Sequence, residues 1–219
     1  AIKTIKRYNI PMIMFAPIGF CLHKNDINGL RSRCLHFAFF KKNFKDKKVK
    51  KELNLIFKYI FKIKLNDLKK YYKSLIKDED DYFLSKKFLS LKNLRKLSKN
   101  KLITISSHSM SHVPLAYLPN EWLNWEINMS LKFIEKCGGS KSFFAYPYGY
   151  KESFNNKVKK LLRKRNVKYA FTTLAKINYQ NNDTLELGRT FASNYSNKNY
   201  VLGNASGAFN LFDTILKRM

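Results

Sequence analysis

Acidic residues are scarce in this sequence: 15 Asp and Glu stand against 43 Lys and Arg, leaving a formal net charge of +28 over 219 residues. Such a balance suits phosphate-rich or anionic surfaces. It has a second source, because Lys, Asn, Ile, Phe and Tyr are all abundant and their codons are built mainly from A and T, so an AT-rich genome gives the same bias without a partner. The basic residues are scattered from Lys3 to Arg218 rather than gathered in one tract. Cysteine is also sparse. Cys21, Cys34 and Cys137 are odd in number and show no C-x-x-C spacing, which points to neither a disulfide framework nor a cysteine zinc site and mildly favours a reducing compartment. No apolar run reaches the roughly 18 residues of a membrane-spanning helix. Lys3, Lys6 and Arg7 ahead of the apolar stretch 10–22 have the outline of a signal peptide, but two prolines and the lack of a small-x-small cleavage site argue against one. What is present is a 45% hydrophobic content with 18 Phe and 13 Tyr, enough to fill the core of one ordered domain.

The apolar pattern alternates between helix and strand. Residues 2–8 read as the end of an amphipathic helix, and 10–16 as a short buried strand closed by Pro17 and Gly19. The sequence opens at Ala1, within that helix, which leads to the expectation that it starts inside a domain. From about 29 to 88 it is rich in Lys, Leu, Ile and Phe, with Leu53, Ile56, Phe57, Ile60 and Phe61 at helical spacing; this predicts a helical insertion with a basic outer face. The run Asp78, Glu79, Asp80 and Asp81 near its end reads as a solvated turn. A serine-capped helix over 90–97, a strand over 102–105, a helix over 120–136 capped by Asn120 and ended by Gly138 and Gly139, a strand over 142–145, a helix over 154–165 and a strand over 169–173 follow. Repeated strand, loop and helix units place functional residues at the carboxyl ends of parallel strands.

His108 and His112, in His108-Ser109-Met110-Ser111-His112, come directly after a predicted strand. Two imidazoles four residues apart above a strand end suit one metal ion, although a catalytic zinc usually has three protein ligands and H-x-x-x-H also occurs as ordinary loop histidines. The context is more specific. Residues 103–112, Ile103-Thr104-Ile105-Ser106-Ser107 running into the histidine pair, are followed by Leu115, Leu118, Glu126 and Ile127. Then come Phe144-Ala145-Tyr146-Pro147-Tyr148-Gly149, Val167-Lys168-Tyr169-Ala170-Phe171-Thr172-Thr173, and Leu187-Gly188-Arg189. In this order they resemble the polysaccharide deacetylase family, carbohydrate esterase family 4; the resemblance covers about 1–22 and 89–191, with residues 5–11 similar to the helix-to-strand junction that follows the family's first motif.

The resemblance implies a distorted (β/α) barrel of the polysaccharide deacetylase type, an α/β fold whose first strand is missing here and which carries the helical insertion 29–88 within a single domain 1–219. It implies Zn2+, or another divalent transition metal, held by His108 and His112. It further implies an oxyanion donor in the backbone N–H of Tyr148, and a groove wall from Tyr146, Pro147 and Gly149 against an acetylated glycan or glycolipid substrate. The family's first motif, an Asp-Asp pair supplying the base and the third ligand, has no counterpart before Ile5; Asp80-Asp81 lies too far along, and Asp26 is the remaining carboxylate near a strand end. Ala145 stands where many members have arginine, and Arg189 stands in place of a histidine acid, with a substrate-orienting and a structural ion-pair role both open to it.

The expectation is therefore a metal-dependent deacetylase of a bacterial cytoplasm or envelope, impaired without the Asp-Asp motif. A catalytically dead deacetylase-like domain that binds glycan or an anionic surface is the alternative. A nucleic-acid module, suggested by the charge and by interleaved Lys and aromatics over 58–73, has no recognised motif behind it, and no specific nucleic-acid partner is expected.

Overall fold

The computed structural model describes residues 2–23, 25–40, 48–76, 88–190 and 199. Its centre is a four-stranded parallel sheet in sequential order, β1 (Met12–Ala16), β2 (Ile103–Ser107), β3 (Phe143–Ala145) and β4 (Tyr169–Phe171). β1 pairs with β2 from Met12↔Ile103 to Ala16↔Ser107, and β3 pairs with β4 from Phe143↔Tyr169 to Ala145↔Phe171. Because every strand runs the same way, the loops after Ala16, Ser107, Ala145 and Phe171 emerge on one side. β2 is buried along nearly its whole length, with Ile105, Ser106 and Ser107 at 0% exposure, as a parallel strand covered on both faces must be.

The helices are α1 (Ile2–Tyr8), α2 (Ile18–Cys21), α3 (Ile27–Phe40), α4 (Lys48–Lys62), α5 (Leu65–Leu75), α6 (Leu91–Ser98), α7 (Asn120–Lys136) and α8 (Asn156–Lys164); α6 and α7 pack on β2, and α4 and α5 pack on α3. α6 begins where expected, since the Ser90 side chain accepts from the Asn93 N–H. For α7 the capping position is Pro119 rather than Asn120, and no side chain caps it; proline has no N–H to lose there and its fixed φ suits a helix entrance. α8 starts two residues later than the apolar spacing suggests, because the Asn155 side chain accepts from the Val158 N–H and fixes the start.

Within the region predicted to be a helical insertion, Ile27–Phe40, Lys48–Lys62 and Leu65–Leu75 are helices. α4 turns Leu53, Phe57 and Ile60 inward and leaves Lys51, Leu55, Lys58, Tyr59 and Lys62 exposed. Phe57 stacks on Trp122 of α7 with ring centroids 5.3 Å apart, and Phe61 meets the same indole at 4.2 Å. The three helices thus share one core with α7 and the 3-10 turn Leu115–Tyr117. The acidic run 78–81 lies outside the described residues. All three cysteines are free and buried, and burial pushes the Cys21 and Cys34 thiols up to about 12, so neither is a ready nucleophile. Among the described residues no helix is long and apolar enough to cross a membrane.

Candidate metal centre

The histidine pair sits where the strand geometry predicts. The His108 N–H donates to the carbonyl of Ala16 at 3.1 Å, the last residue of β1, as the chain leaves β2. The following turn is not relaxed: Ser109 and His112 both lie in the left-handed region, at φ 65° and 54°. Each such residue costs about 1–3 kcal/mol and persists only where its surroundings hold it.

Three neighbours hold this turn. Glu126, on α7 and 1% exposed, accepts the Met110 N–H at 2.8 Å and the Ser111 N–H at 3.0 Å on one oxygen and the Ser111 hydroxyl on the other. The Ile18 and Gly19 N–H groups of α2 donate to the Ser109 and Met110 carbonyls at 3.0 and 2.9 Å. This approach needs glycine at 19, since a Cβ there would stand 2.6 Å from the Met110 oxygen and 2.1 Å from the Ser32 Cβ. On α3, His36 places its Nδ1 3.0 Å from the Ser111 carbonyl oxygen.

The two imidazoles meet edge to face, with ring centroids 4.8 Å apart. His108 Nδ1 lies 2.7 Å from the Ala145 carbonyl oxygen. A carbonyl only accepts, so Nδ1 carries the proton and Nε2 keeps its lone pair, the tautomer in which metal-ligating histidines are fixed by a backbone acceptor. Burial lowers the His108 pKa to about 4, helped by the neighbouring His112; burial lowers His112 as well. Both rings are thus neutral donors at neutral pH, and their chemistry suits a zinc-like ion. Among the described residues no group of three His, Cys, Asp or Glu side chains could hold a metal ion. Asp26 is engaged elsewhere: its Oδ1 accepts the Asn28 and Gly29 N–H groups at 2.9 and 3.0 Å and caps α3. Asp80 and Asp81 fall outside the described residues.

The F-A-Y-P-Y-G segment lies beside the pair. Tyr148 has φ 62° and its ring is 5.1 Å from that of His112; its carbonyl accepts the Thr173 hydroxyl at 2.7 Å, while its own N–H meets no acceptor among the described residues. Gly149, at φ 66°, could not be replaced without strain, because a Cβ would come within 2.6 Å of the Thr173 nitrogen. Tyr146 is placed differently from the expected groove wall. It is 0% exposed, its ring stacks on Phe154 at 4.3 Å, and its hydroxyl donates to the Leu185 carbonyl at 2.7 Å. It fills the core behind the site, as a large aromatic with one satisfied polar atom can. Pro147 is buried too. The aromatic surface near the pair comes from half-buried Tyr148 and from exposed Tyr150 and Phe40, the last 6.4 Å from the Tyr148 ring.

Arg189 is brought close enough to lower the His108 pKa further, and its Nε donates to the Thr172 carbonyl at 2.6 Å. That bond ties it to the end of β4, on the same side of the sheet as the histidines. A cavity of about 610 Å³ lined by Phe20, Arg33, Phe88 and Lys92 among others does not include His108, His112 or Tyr148.

Two residues of this site escaped the sequence reading as participants. Glu126 left a signal, being the carboxylate on the buried stripe of α7 with Trp122, Leu123, Ile127, Ser130 and Ile134, and an acid there needs partners. His36 left none, because nothing in a helix some seventy residues upstream points to the turn it meets. A search of curated proteins finds no match to the chain. Residues 75–170, which hold the histidine pair, Glu126 and the F-A-Y-P-Y-G segment, match the family model described as polysaccharide deacetylase, consistent with a partial domain of that family.

Proposed function

We propose that this protein is a metal-dependent hydrolase that removes acetyl groups from an N-acetylated glycan or cell-envelope sugar precursor, working in a bacterial cytoplasm or envelope. The observation that carries the reading is the His108–His112 pair inside the family-matched stretch, at strand ends, with the His108 Nε2 lone pair presented by the Nδ1 bond to Ala145. The sequential parallel sheet fits one wall of a distorted (β/α) barrel, and we place 1–219 in a single domain with 29–88 as a helical insertion.

His108 and His112 would hold a Zn2+ ion or a similar divalent cation, with the third ligand and the general base drawn from carboxylates outside the described residues. Bound there, the ion would polarise the acetyl carbonyl and lower the pKa of water. The Tyr148 N–H would donate to the oxygen on which negative charge develops, a contact that is stronger in the transition state than in the ground state. Its left-handed backbone is the kind of strain found at such positions. Phe40, Tyr148 and Tyr150 offer aromatic faces against which the apolar side of a sugar ring packs. Arg189, positively charged and tied to Thr172, would orient the substrate or the carboxylate that completes the site.

A second reading, a deacetylase-like domain that binds glycan or an anionic surface without hydrolysis, is favoured by one observation: the described residues offer two metal ligands rather than three. Calorimetric zinc titration and acetate release from an N-acetylglucosamine oligomer separate the two. The enzymatic reading requires zinc uptake and acetate release, both abolished in His108→Ala. Glycan binding with neither zinc uptake nor acetate release would establish the non-catalytic domain instead.

A further inference from the structure

His36 lies on α3, outside the family-matched stretch, yet it touches the turn between the two candidate ligands. Its Nδ1 is 3.0 Å from the Ser111 carbonyl, and since a carbonyl only accepts, Nδ1 is the donor. From the opposite side the Glu126 carboxylate takes the Met110 and Ser111 N–H groups. The peptides on either side of Ser111 are thus gripped through their donors by α7 and through an acceptor by α3. The residue they deliver is His112, whose φ of 54° would not persist unaided.

The His36 ring is itself held still. Phe20, Phe37 and Phe40 surround it at centroid distances of 4.8, 5.4 and 4.5 Å, the first two edge-on, and the His112 ring lies 6.0 Å away. A donor fixed in this way sets the plane of the Ser111–His112 peptide, and that plane sets the direction from which the His112 imidazole leaves the backbone.

We infer that His36 is a positioning residue for the metal pair, fixing the His112 imidazole toward the ion through the Ser111 carbonyl. The inference rests on the metal reading proposed above. Outer partners of this kind change metal affinity by about 10- to 100-fold when removed. A role confined to packing would change stability and leave the affinity alone.

The full chain, freed of metal, is titrated with Zn2+ by calorimetry and with Co2+ by visible absorption, which reports the coordination geometry. His36→Phe keeps an aromatic ring among Phe20, Phe37 and Phe40 and removes the donor; a 10- to 100-fold weaker Zn2+ affinity and an altered Co2+ spectrum are expected. His36→Asn, whose amide nitrogen falls near the position of Nδ1, restores most of the affinity, whereas His36→Gln, with its donor one bond further out, does not. Should His36→Phe fail to fold, the Asn and Gln pair carries the comparison. Wild-type affinity and spectrum in His36→Phe, or equal affinities for Asn and Gln, overturn the positioning role while the metal reading stands. A wild-type chain that takes up neither ion overturns both.

Discussion

The Nδ1 of His108 stands 2.7 Å from the carbonyl oxygen of Ala145, so the histidine after one strand is oriented by the last residue of the next. This bond joins two sequence segments that are 37 residues apart and explains why they have to be read together. Without the register of β2 against β3, in which Ser107 lies opposite Phe144, the carbonyl would not face the imidazole.

Buried neutral histidines make the metal-free protein acid-sensitive. Burial lowers His36 and His108 to about 4 from an ordinary 6.5, and His112 in the same direction. Between these values the unfolded chain binds more protons than the folded one, so stability falls as pH drops from about 6.5 toward 4. Glu126, whose pKa burial raises, works in the opposite sense above its ordinary 4.5, but one carboxyl opposes several imidazoles. At about 1.4 kcal/mol per pH unit and group, a loss of several kcal/mol is expected. Urea denaturation of the metal-free chain at pH 7, 6 and 5 checks it, and a flat profile would contradict the burial of these rings.

Glu126 should be among the most sensitive positions outside the pair itself. Glu126→Leu matches the apolar stripe of α7 but strands the Met110 and Ser111 N–H groups, each worth about 1–3 kcal/mol when buried and unpaired. A loss of about 3–5 kcal/mol in chemical denaturation is expected. Glu126→Gln retains an acceptor oxygen and should cost clearly less.

Lys159 links α8 to the segment that leads to Arg189. Its ammonium group lies 3.0 Å from Asp183 and 2.9 Å from Glu186, with its side chain only 13% exposed, and Arg163 adds a contact to Asp183 at 2.8 Å. Lys159→Met should cost about 2 kcal/mol, in the range of hydrogen bonds to charged groups. Lys70→Met, which removes an exposed i,i+3 pair with Asp67 at 3.7 Å, should stay within about 0.5 kcal/mol. Parallel thermal melts of the two variants make the comparison.

The Tyr148 hydroxyl is buried with no hydrogen-bond partner among the described residues. Removing it relieves an unmet polar group, so Tyr148→Phe should gain up to about 1 kcal/mol in a thermal melt. Because the proposed catalytic contribution is the backbone N–H, acetate release by the variant should remain within about twofold of wild type. A large fall in rate with unchanged stability would transfer the role to the hydroxyl.

Much of the fold was legible because it is locally encoded. The apolar run at 10–16, the Ser90 cap and the helical stripe of Leu53, Phe57 and Ile60 depend on neighbours a few residues away; the strand forms over Met12–Ala16 within that run, and the helices Leu91–Ser98 and Lys48–Lys62 form around the cap and the stripe. A boundary slipped where a cap decided between close alternatives, as at Asn155, and at 120–136 the helix kept its expected range while the cap moved to Pro119. Tyr146 shows the other limit. The motif places it beside the site, but whether its ring faces a groove or the core depends on Phe154 and the Leu185 carbonyl, which no local pattern brings to it.

By itself, the sequence determined the order of helices and strands, the position of the histidine pair at a strand end, and the family which that order resembles, because hydrophobic period and motif spacing survive without coordinates. Only the tertiary structure decided what surrounds that pair. Glu126, His36 and the Ala145 carbonyl meet the H-x-x-x-H turn through parallel strand register and helix packing across dozens of residues, and those long-range contacts are fixed by the burial of shared apolar faces rather than by anything written next to the histidines.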